Sequence, residues 1–148
     1  LLARRVAHAG PLGSGITMKL VVNLPLACYW QSLGEALGIG IRNGLALDSM
    51  LAVVAESKAA IGALQGKISR ILDASLPAEF DLAGLAKDLS AMAETAGSLG
   101  HDTPVCRAAL QSASSAVAAG WGERDLAQLV AYAAATDTVS PAPGAPRR

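Results

Sequence analysis

Charged residues and aromatic rings are scarce in this sequence. Only 16% of the residues are charged and 3% are aromatic, and 12 basic side chains balance 12 acidic ones. A protein that binds nucleic acid usually carries a basic surface for the phosphates, often with aromatic rings that stack on bases. We therefore predict that this protein has no nucleic-acid partner.

Cysteine and histidine are also rare, with two of each. Cys28 and Cys106 are far apart in apolar surroundings, which is typical of buried free thiols in a reducing compartment, and we predict a cytoplasmic protein. His101 and Asp102 lie near Cys106, but Pro104 interrupts the segment and no fourth ligand is evident. The sequence therefore predicts no metal site.

No uninterrupted apolar run is long enough to cross a membrane, although 52% of the residues are hydrophobic. A spanning helix needs about 20 apolar residues, and the uncharged stretch of residues 20–34 contains Asn23, Pro25 and Gln31. We predict no membrane segment. The excess of apolar residues instead indicates a large interface with other protein, within an oligomer or between domains.

The sequence also lacks a Gly-x-Gly-x-x-Gly turn between a strand and a helix, the usual cradle for a dinucleotide's phosphates. The chain is long enough to bury one core, and its apolar spacing and cap residues predict an all-α domain. Asp48, Thr103 and Asp125 are the predicted caps, and either Asp81 or Phe80 is predicted to open the helix that ends at Leu99. The predicted helices span residues 14–42, 49–64, a short piece within 65–73, 81–99, 104–119 and 126–135.

Lys19 and Asn23 form the most informative pair. They lie four residues apart on the first predicted helix, hence on one face, and Lys19 is surrounded by apolar residues. We expect this helix to be buried on most sides at the centre of a bundle, where a lone ammonium is costly to desolvate. A cation beside an amide then suggests a site. The alternative is a lysine whose stem packs while its head reaches solvent.

Three motifs in this order resemble the second domain of the β-hydroxyacid dehydrogenases. That superfamily includes 3-hydroxyisobutyrate dehydrogenase and tartronate semialdehyde reductase, and it is related to 6-phosphogluconate dehydrogenase. The matching motifs are Gly13-x-Gly15-x-x-x-Lys19-x-x-x-Asn23, continuing to Glu35-Ala36 and Gly44-Leu45; Phe80-Asp-Leu-Ala-Gly-Leu-Ala-Lys87-Asp88-Leu89; and Pro104 followed by Gly120-x-Gly122-x-x-Asp125.

The resemblance implies a helical bundle around one long central helix, like the C-terminal domain of 6-phosphogluconate dehydrogenase. It implies hydride transfer between NAD or NADP and the CH–OH group of a small hydroxyacid, or the reverse reaction on a semialdehyde. Lys19 would be the catalytic general acid/base, with a pKa lowered by burial, and Asn23 would bind the substrate. Retention of lysine at position 19 favours alcohol chemistry over that of the related imine reductases.

The second motif implies a cofactor-binding role for Lys87 and Phe80. Without the resemblance, Lys87 is better explained as a solvated helix residue, and Phe80 fits the core as well as a cofactor cleft. We interpret Asp88 as a local anchor of its helix and Asp125 as a helix cap.

The resemblance also implies a domain organisation. Residues 1–12 would connect to a missing N-terminal Rossmann domain, 13–135 would form the catalytic and dimerisation domain, and 136–148 would be a disordered tail. The chain begins without methionine and is interpreted as a fragment, inactive alone and assembling as a homodimer or larger homo-oligomer. The alternative function is a non-enzymatic helical dimerisation module or an imine reductase-like enzyme. The sequence leaves NAD and NADP undistinguished.

Overall fold

The computed structural model describes residues 7–135 as a bundle of six α-helices. Within that range no strand is present, and the one isolated β-bridge joins Asp81 and Asp125. The all-α prediction is thus confirmed. The proposed tail and the first half of the proposed connector lie outside the described residues. The helices are α1 (Ser14–Arg42), α2 (Leu47–Glu56), α3 (Ile68–Leu72), α4 (Leu82–Ser98), α5 (Pro104–Ala116) and α6 (Gln128–Ala135).

The long helix α1 is the centre of the bundle. It packs most extensively on α6 and also contacts α4, α5 and α2, while α4 packs on α5. Trp30 and Leu37 of α1 are buried, and they join a single core with leucines of α4 and α6. The fully buried leucines of that core include Leu82, Leu85, Leu89 and Leu129.

Two of the predicted helices have the expected bounds. The helix α1 covers residues 14–42 and continues through Pro25. Asp81 caps α4 by accepting a hydrogen bond from the Gly84 N–H at 2.7 Å. These ends were predictable because their stop and start signals are local in the sequence.

The predicted bounds of the second helix are wrong at both ends. Asp48 is not the N-cap: the helix α2 begins at Leu47 after Ala46, and the Asp48 carboxylate accepts the Ser49 N–H within the first turn. The helix ends at Glu56 instead of reaching residue 64. Ser57 adopts an extended conformation, and its hydroxyl accepts the Ala59 N–H at 3.1 Å, so a local turn competes with the helix.

The fifth helix ends in an irregular turn. Pro104 occupies the first turn of α5 as predicted, but Thr103 makes no side-chain capping bond. After Ala116 the chain makes a π-helical turn, Val117–Trp121, in which Gly120 has a φ of 86°. Only glycine adopts that backbone conformation readily. The turn redirects the chain so that residues 120–126 pass beside the start of α4.

The expectation that α1 is buried on most sides is wrong for its first third. Among residues 14–23 of α1, only Leu20 is buried, whereas apolar side chains there are exposed because no described element covers them. The exposed apolar residues at this end are Leu12, Ile16, Met18, Val21 and Val22. None of the helices within residues 7–135 has the length and apolarity needed to cross a membrane.

The contact between α1 and α6 depends on two glycines one turn apart. A Cβ atom on Gly34 would lie 2.7 Å from the Val130 carbonyl oxygen, and one on Gly38 would lie 3.1 Å from the Cα of Ala134. The two backbones therefore approach more closely than any larger residue would permit. Arg42 secures the same contact by donating a hydrogen bond to the Ala134 carbonyl at 2.9 Å.

A buried carboxylate, Asp125, joins α3, α4 and α6. Its side chain accepts hydrogen bonds from Lys67 Nζ at 2.7 Å, from the Glu79 N–H at 2.9 Å and from the Ala127 N–H at 3.0 Å. The guanidinium of Arg70 lies 3.7 Å away. Burial acts to raise the pKa of Asp125, but these hydrogen bonds and the Lys67 charge outweigh burial and hold the pKa below the ordinary value of 3.8.

We expect Gly34→Ala to destabilise the bundle, because the new methyl group meets the backbone of α6 and the helices must separate. The expected loss in the free energy of unfolding is about 1–3 kcal/mol, measured by urea denaturation. Gly97→Ala is the matched control, because a Cβ there meets nothing within 4 Å. It should leave stability unchanged or raise it by up to about 1 kcal/mol. Equal effects of the two variants would contradict the close crossing.

We expect Asp125→Asn to lower the free energy of unfolding by about 2 kcal/mol at neutral pH, since it removes charged hydrogen bonds from a buried site. Because the folded-state pKa of Asp125 lies below 3.8, its contribution is complete above that pH and is lost as the pH falls through the lower folded value. Denaturation of both proteins at several pH values should show the difference shrinking in acid. A difference that is independent of pH would contradict this assignment.

Candidate functional site

Three polar side chains meet where α1 crosses α4. Lys19 Nζ lies 2.9 Å from both carboxylate oxygens of Asp88, and Asn23 Nδ2 donates to Asp88 Oδ2 at 2.8 Å. Asp88 thus accepts from two residues one turn apart on α1. The structure brings the predicted catalytic lysine and substrate-binding amide together as expected, and it adds a carboxylate between them.

The two helices hold these groups in place for separate reasons. Lys19 and Asn23 share a face because they are four residues apart. Leu20 is buried next to Lys19, and Leu85 and Leu89 are buried on either side of Asp88, so apolar packing on both helices fixes the direction of the polar groups. The geometry therefore follows from the core rather than from the ion pair alone.

The electrostatic environment of Lys19 differs from the sequence expectation. Its side chain is 58% exposed, whereas that of Asp88 is only 16% exposed. The desolvated ammonium predicted from the apolar neighbours is thus absent within the described part of the chain. The reason is that no element within residues 7–135 covers the solvent-facing side of the first third of α1.

Asp88 is the functional candidate that the sequence analysis missed. Its interpretation as a local anchor of α4 is wrong, because both of its side-chain hydrogen bonds reach α1. Its position directly after Lys87 and among leucines at helical spacing gave no sign of a partner more than sixty residues away. Only the packing of α4 against α1 reveals it.

Lys87 and Phe80 lie outside the group formed by Lys19, Asn23 and Asp88. Lys87 is exposed, and among residues 7–135 it makes no hydrogen bond or ion pair with Lys19 or Asn23. Consecutive residues on a helix point about 100° apart, so Lys87 does not share the direction of Asp88. Its predicted cofactor-binding role stays a prediction.

Phe80 packs at the start of α4. Its ring lies against Gly84, where an added Cβ would be 2.6 Å from a ring carbon, and it is half-buried against the core. Its carbonyl accepts the Leu126 N–H at 2.8 Å. The packing alternative is therefore supported, while a role for Phe80 in cofactor binding stays a prediction.

The second and third motifs contact each other through the backbone. The N–H groups of Leu82 and Ala83 donate to the carbonyls of Arg124 and Gly122, at 2.9 Å and 3.0 Å. These bonds satisfy donors of the first turn of α4 that have no partner within the helix. Asp125 does act as a cap on the Ala127 N–H, but the Gln128 side chain donates to the Ile71 carbonyl instead of completing a capping box.

Asp102 and Cys106, which lie close together in the sequence, have separate structural contacts. The Asp102 carboxylate pairs with the Arg107 guanidinium, and both side chains are exposed. The Cys106 thiol is buried, with Sγ 3.6 Å from the Leu89 carbonyl, and burial raises its pKa. Cys28 and Cys106 are both free thiols. Within residues 7–135 no three His, Cys, Asp or Glu side chains are grouped as metal ligands.

A protein-family model and several known proteins match most of this chain. Residues 13–133 match the family described as the NAD-binding domain of NADP-dependent 3-hydroxyisobutyrate dehydrogenase. The chain is 29% identical over 132 residues to 2-(hydroxymethyl)glutarate dehydrogenase of Eubacterium barkeri, covering 88% of this chain and 44% of that protein. It is also 29% identical over 132 residues to NAD-dependent L-serine dehydrogenase of Pseudomonas aeruginosa, covering 84% and 44%.

A solved structure shows the same fold. The crystal structure of 3-hydroxyisobutyrate dehydrogenase from Salmonella typhimurium superposes with a TM-score of 0.73 and 26% identity, covering 80% of this chain and 42% of that one. This chain thus spans less than half the length of the relatives that it matches. The matched region includes all three motifs and the Lys19–Asn23–Asp88 group, and the chain belongs to the 3-hydroxyisobutyrate dehydrogenase family.

Proposed function

We propose that this chain is the C-terminal domain of an NAD(P)-dependent oxidoreductase that acts on the CH–OH group of a small β-hydroxyacid, with Lys19 as the general acid/base. The observation that supports this most is the group formed by Lys19, Asn23 and Asp88 at the uncovered end of α1. A cation, an amide and a carboxylate held by two rigid helices offer both a proton donor and a means to orient it.

The proton chemistry follows from these groups. In the oxidative direction a hydroxyl proton must leave as the carbinol C–H passes as hydride to the nicotinamide, and neutral Lys19 would accept that proton. In the reverse direction the ammonium form of Lys19 would stabilise negative charge on the carbonyl oxygen and then protonate it. Asn23 Nδ2 would hold the substrate oxygen in line.

Asp88 would set the position of both partners. Its carboxylate accepts from Lys19 and from Asn23 at 2.8–2.9 Å, so neither side chain swings freely. A substrate oxygen placed beside them would meet donors whose direction is already fixed, which reduces the entropy lost on reaching the transition state.

The residues of this chain fit the reacting end of the cofactor better than its phosphates. Apolar side chains, including Ile16 and Val22, are exposed near Lys19 and could lie against an uncharged ring. Lys87 is exposed on α4 and is free to reach a bound cofactor or substrate. Because the sequence has no phosphate-binding glycine turn, we propose that a Rossmann domain elsewhere in the protein binds most of the NAD or NADP.

That second domain would also change the environment of Lys19. Its surface would cover the exposed apolar end of α1 and remove water from the ammonium, which strengthens every electrostatic interaction in the site. We therefore propose that the chain alone is inactive and that the site is completed between two domains. Burial of the same apolar residues by a second copy would support the alternative function, a non-enzymatic dimerisation module.

We expect Lys19→Met in the protein that carries this chain and its cofactor domain to lower kcat by about 10²- to 10⁴-fold, the usual contribution of a general acid/base. Steady-state kinetics with NAD and NADP on a panel of β-hydroxyacids would measure the effect. Lys58→Met is the matched control, since Lys58 is exposed in the turn after α2. Full activity of the Lys19 variant would reject the assignment, and inactivity of the wild type on every hydroxyacid would favour the dimerisation module.

We expect Asp88→Asn to lower kcat by about 10- to 100-fold, because Lys19 and Asn23 lose the charge that orients them. The fold should persist, since a partly exposed ion pair adds little to stability. Glu94→Gln on the same helix is the control, because Glu94 is exposed and accepts a hydrogen bond from Ser90 of its own helix. If both variants retained wild-type kcat, Asp88 would have no part in catalysis.

A further inference from the structure

The buried carboxylate of Asp125 is the polar group that the proposed mechanism does not use. It belongs to the third motif but lies apart from Lys19. Its side chain is 1% exposed, that of Lys67 is 12% exposed and that of Arg70 is 19% exposed. Lys67 and Arg70 also pair with the exposed Glu79 carboxylate, each at 2.9 Å. Burying the Asp125 anion with these cations costs desolvation free energy, which apolar residues at the same places would avoid. Such an arrangement calls for a role beyond stability.

Asp125 and its neighbours in the turn 120–126 make hydrogen bonds with residues at the start of α4. The carboxylate accepts the Glu79 N–H directly at 2.9 Å, and the next residue, Leu126, donates to the Phe80 carbonyl at 2.8 Å. The Gly122 and Arg124 carbonyls accept the N–H groups of Ala83 and Leu82. Residues 79–83 are therefore tied to one short turn, and Asp125 is the residue that fixes this turn to α3 through Lys67.

A rigid helix transmits that position to Asp88. Asp88 lies seven residues beyond the Asp81 cap, about 10 Å along the axis at 1.5 Å per residue. A shift of α4 along its axis would change the distances from Asp88 to Lys19 and Asn23, which are now those of good hydrogen bonds, 2.8–2.9 Å. Packing of Leu85 and Leu89 fixes the direction in which Asp88 faces, and the backbone hydrogen bonds of the turn add a second restraint on the position of α4 along its axis.

We propose that Asp125 is a positioning residue, which acts through the turn 120–126 and α4 to hold the Asp88 carboxylate on Lys19 and Asn23. The consequence for turnover depends on the function proposed above, whereas the geometric coupling between Asp125 and Asp88 does not. A purely structural role would instead lower stability and leave the Lys19–Asn23–Asp88 contacts as they are.

The side-chain amide of Asn23 reports this coupling directly in the full chain. Its ¹H–¹⁵N resonances depend on the hydrogen bond to Asp88, so Asp88→Asn defines how far they move when the charged acceptor is lost. We expect Asp125→Asn to move them by at least half of that displacement. Asp102→Asn, which removes an exposed ion pair on α5, is the matched control and should leave them in place.

Lys67→Met provides a second test, because it keeps the hydrogen bonds that Asp125 accepts from Glu79 and Ala127 and leaves Arg70 beside the carboxylate. It should move the Asn23 resonances in the same direction. Unchanged Asn23 resonances in a folded Asp125→Asn or Lys67→Met protein would overturn the proposal. In the two-domain protein, we expect Asp125→Asn to lower kcat. If the wild-type protein has no activity, the proposed dehydrogenase function is rejected, and the Asn23 resonances still test whether Asp125 positions Asp88.

Discussion

The close approach of α1 and α6 is the constraint on which the rest of the bundle depends. Because Gly34 and Gly38 have no side chains, α6 lies directly on the backbone of α1, and apart from Leu20 the buried residues of α1 lie between Ala27 and Gly38. In the first third of α1, no element within residues 7–135 covers the exposed apolar side chains. The C-terminal part of α1 thus contributes side chains to the core, whereas its N-terminal part exposes apolar side chains.

The candidate site lies where these two parts of α1 meet. Lys19 is exposed, but Leu20 beside it is buried, and α4 approaches just there with Asp88. A partly exposed ion pair contributes little to the stability of the fold. The packing of α1 against α4 therefore keeps Lys19 and Asp88 together, rather than the ion pair keeping the helices together. This is the arrangement expected of groups selected for chemistry, since their geometry costs the fold little and is fixed by a core built for other reasons.

The sequence predicted well whatever depends on neighbours along the chain. The bounds of α1 and α4 follow from Gly13, Asp81 and Gly100. The presence of Lys19 and Asn23 on one face of α1 follows from helical spacing. The all-α class and the family likewise rest on short motifs. These signals need no knowledge of how the helices pack.

Features that depend on distant residues were not predictable. Asp88 looked like a local anchor because its partners are 65 and 69 residues away, and Asp125 looked like a simple cap because Lys67 lies 58 residues earlier. The hydrophobic first third of α1 looked buried because periodicity cannot tell a core from an interface. The early end of α2 arises from a serine turn that competes with helical hydrogen bonds.

The central claim is that Lys19 and Asn23 face the reacting group of a hydroxyacid. The measurement that tests it most directly is a crystal structure of the protein that contains this chain and its cofactor domain, with cofactor and a β-hydroxyacid bound. The account predicts the substrate hydroxyl oxygen within about 3 Å of Lys19 Nζ and of Asn23 Nδ2, the reach of a proton transfer. A substrate bound in the protein with neither residue in contact would contradict it.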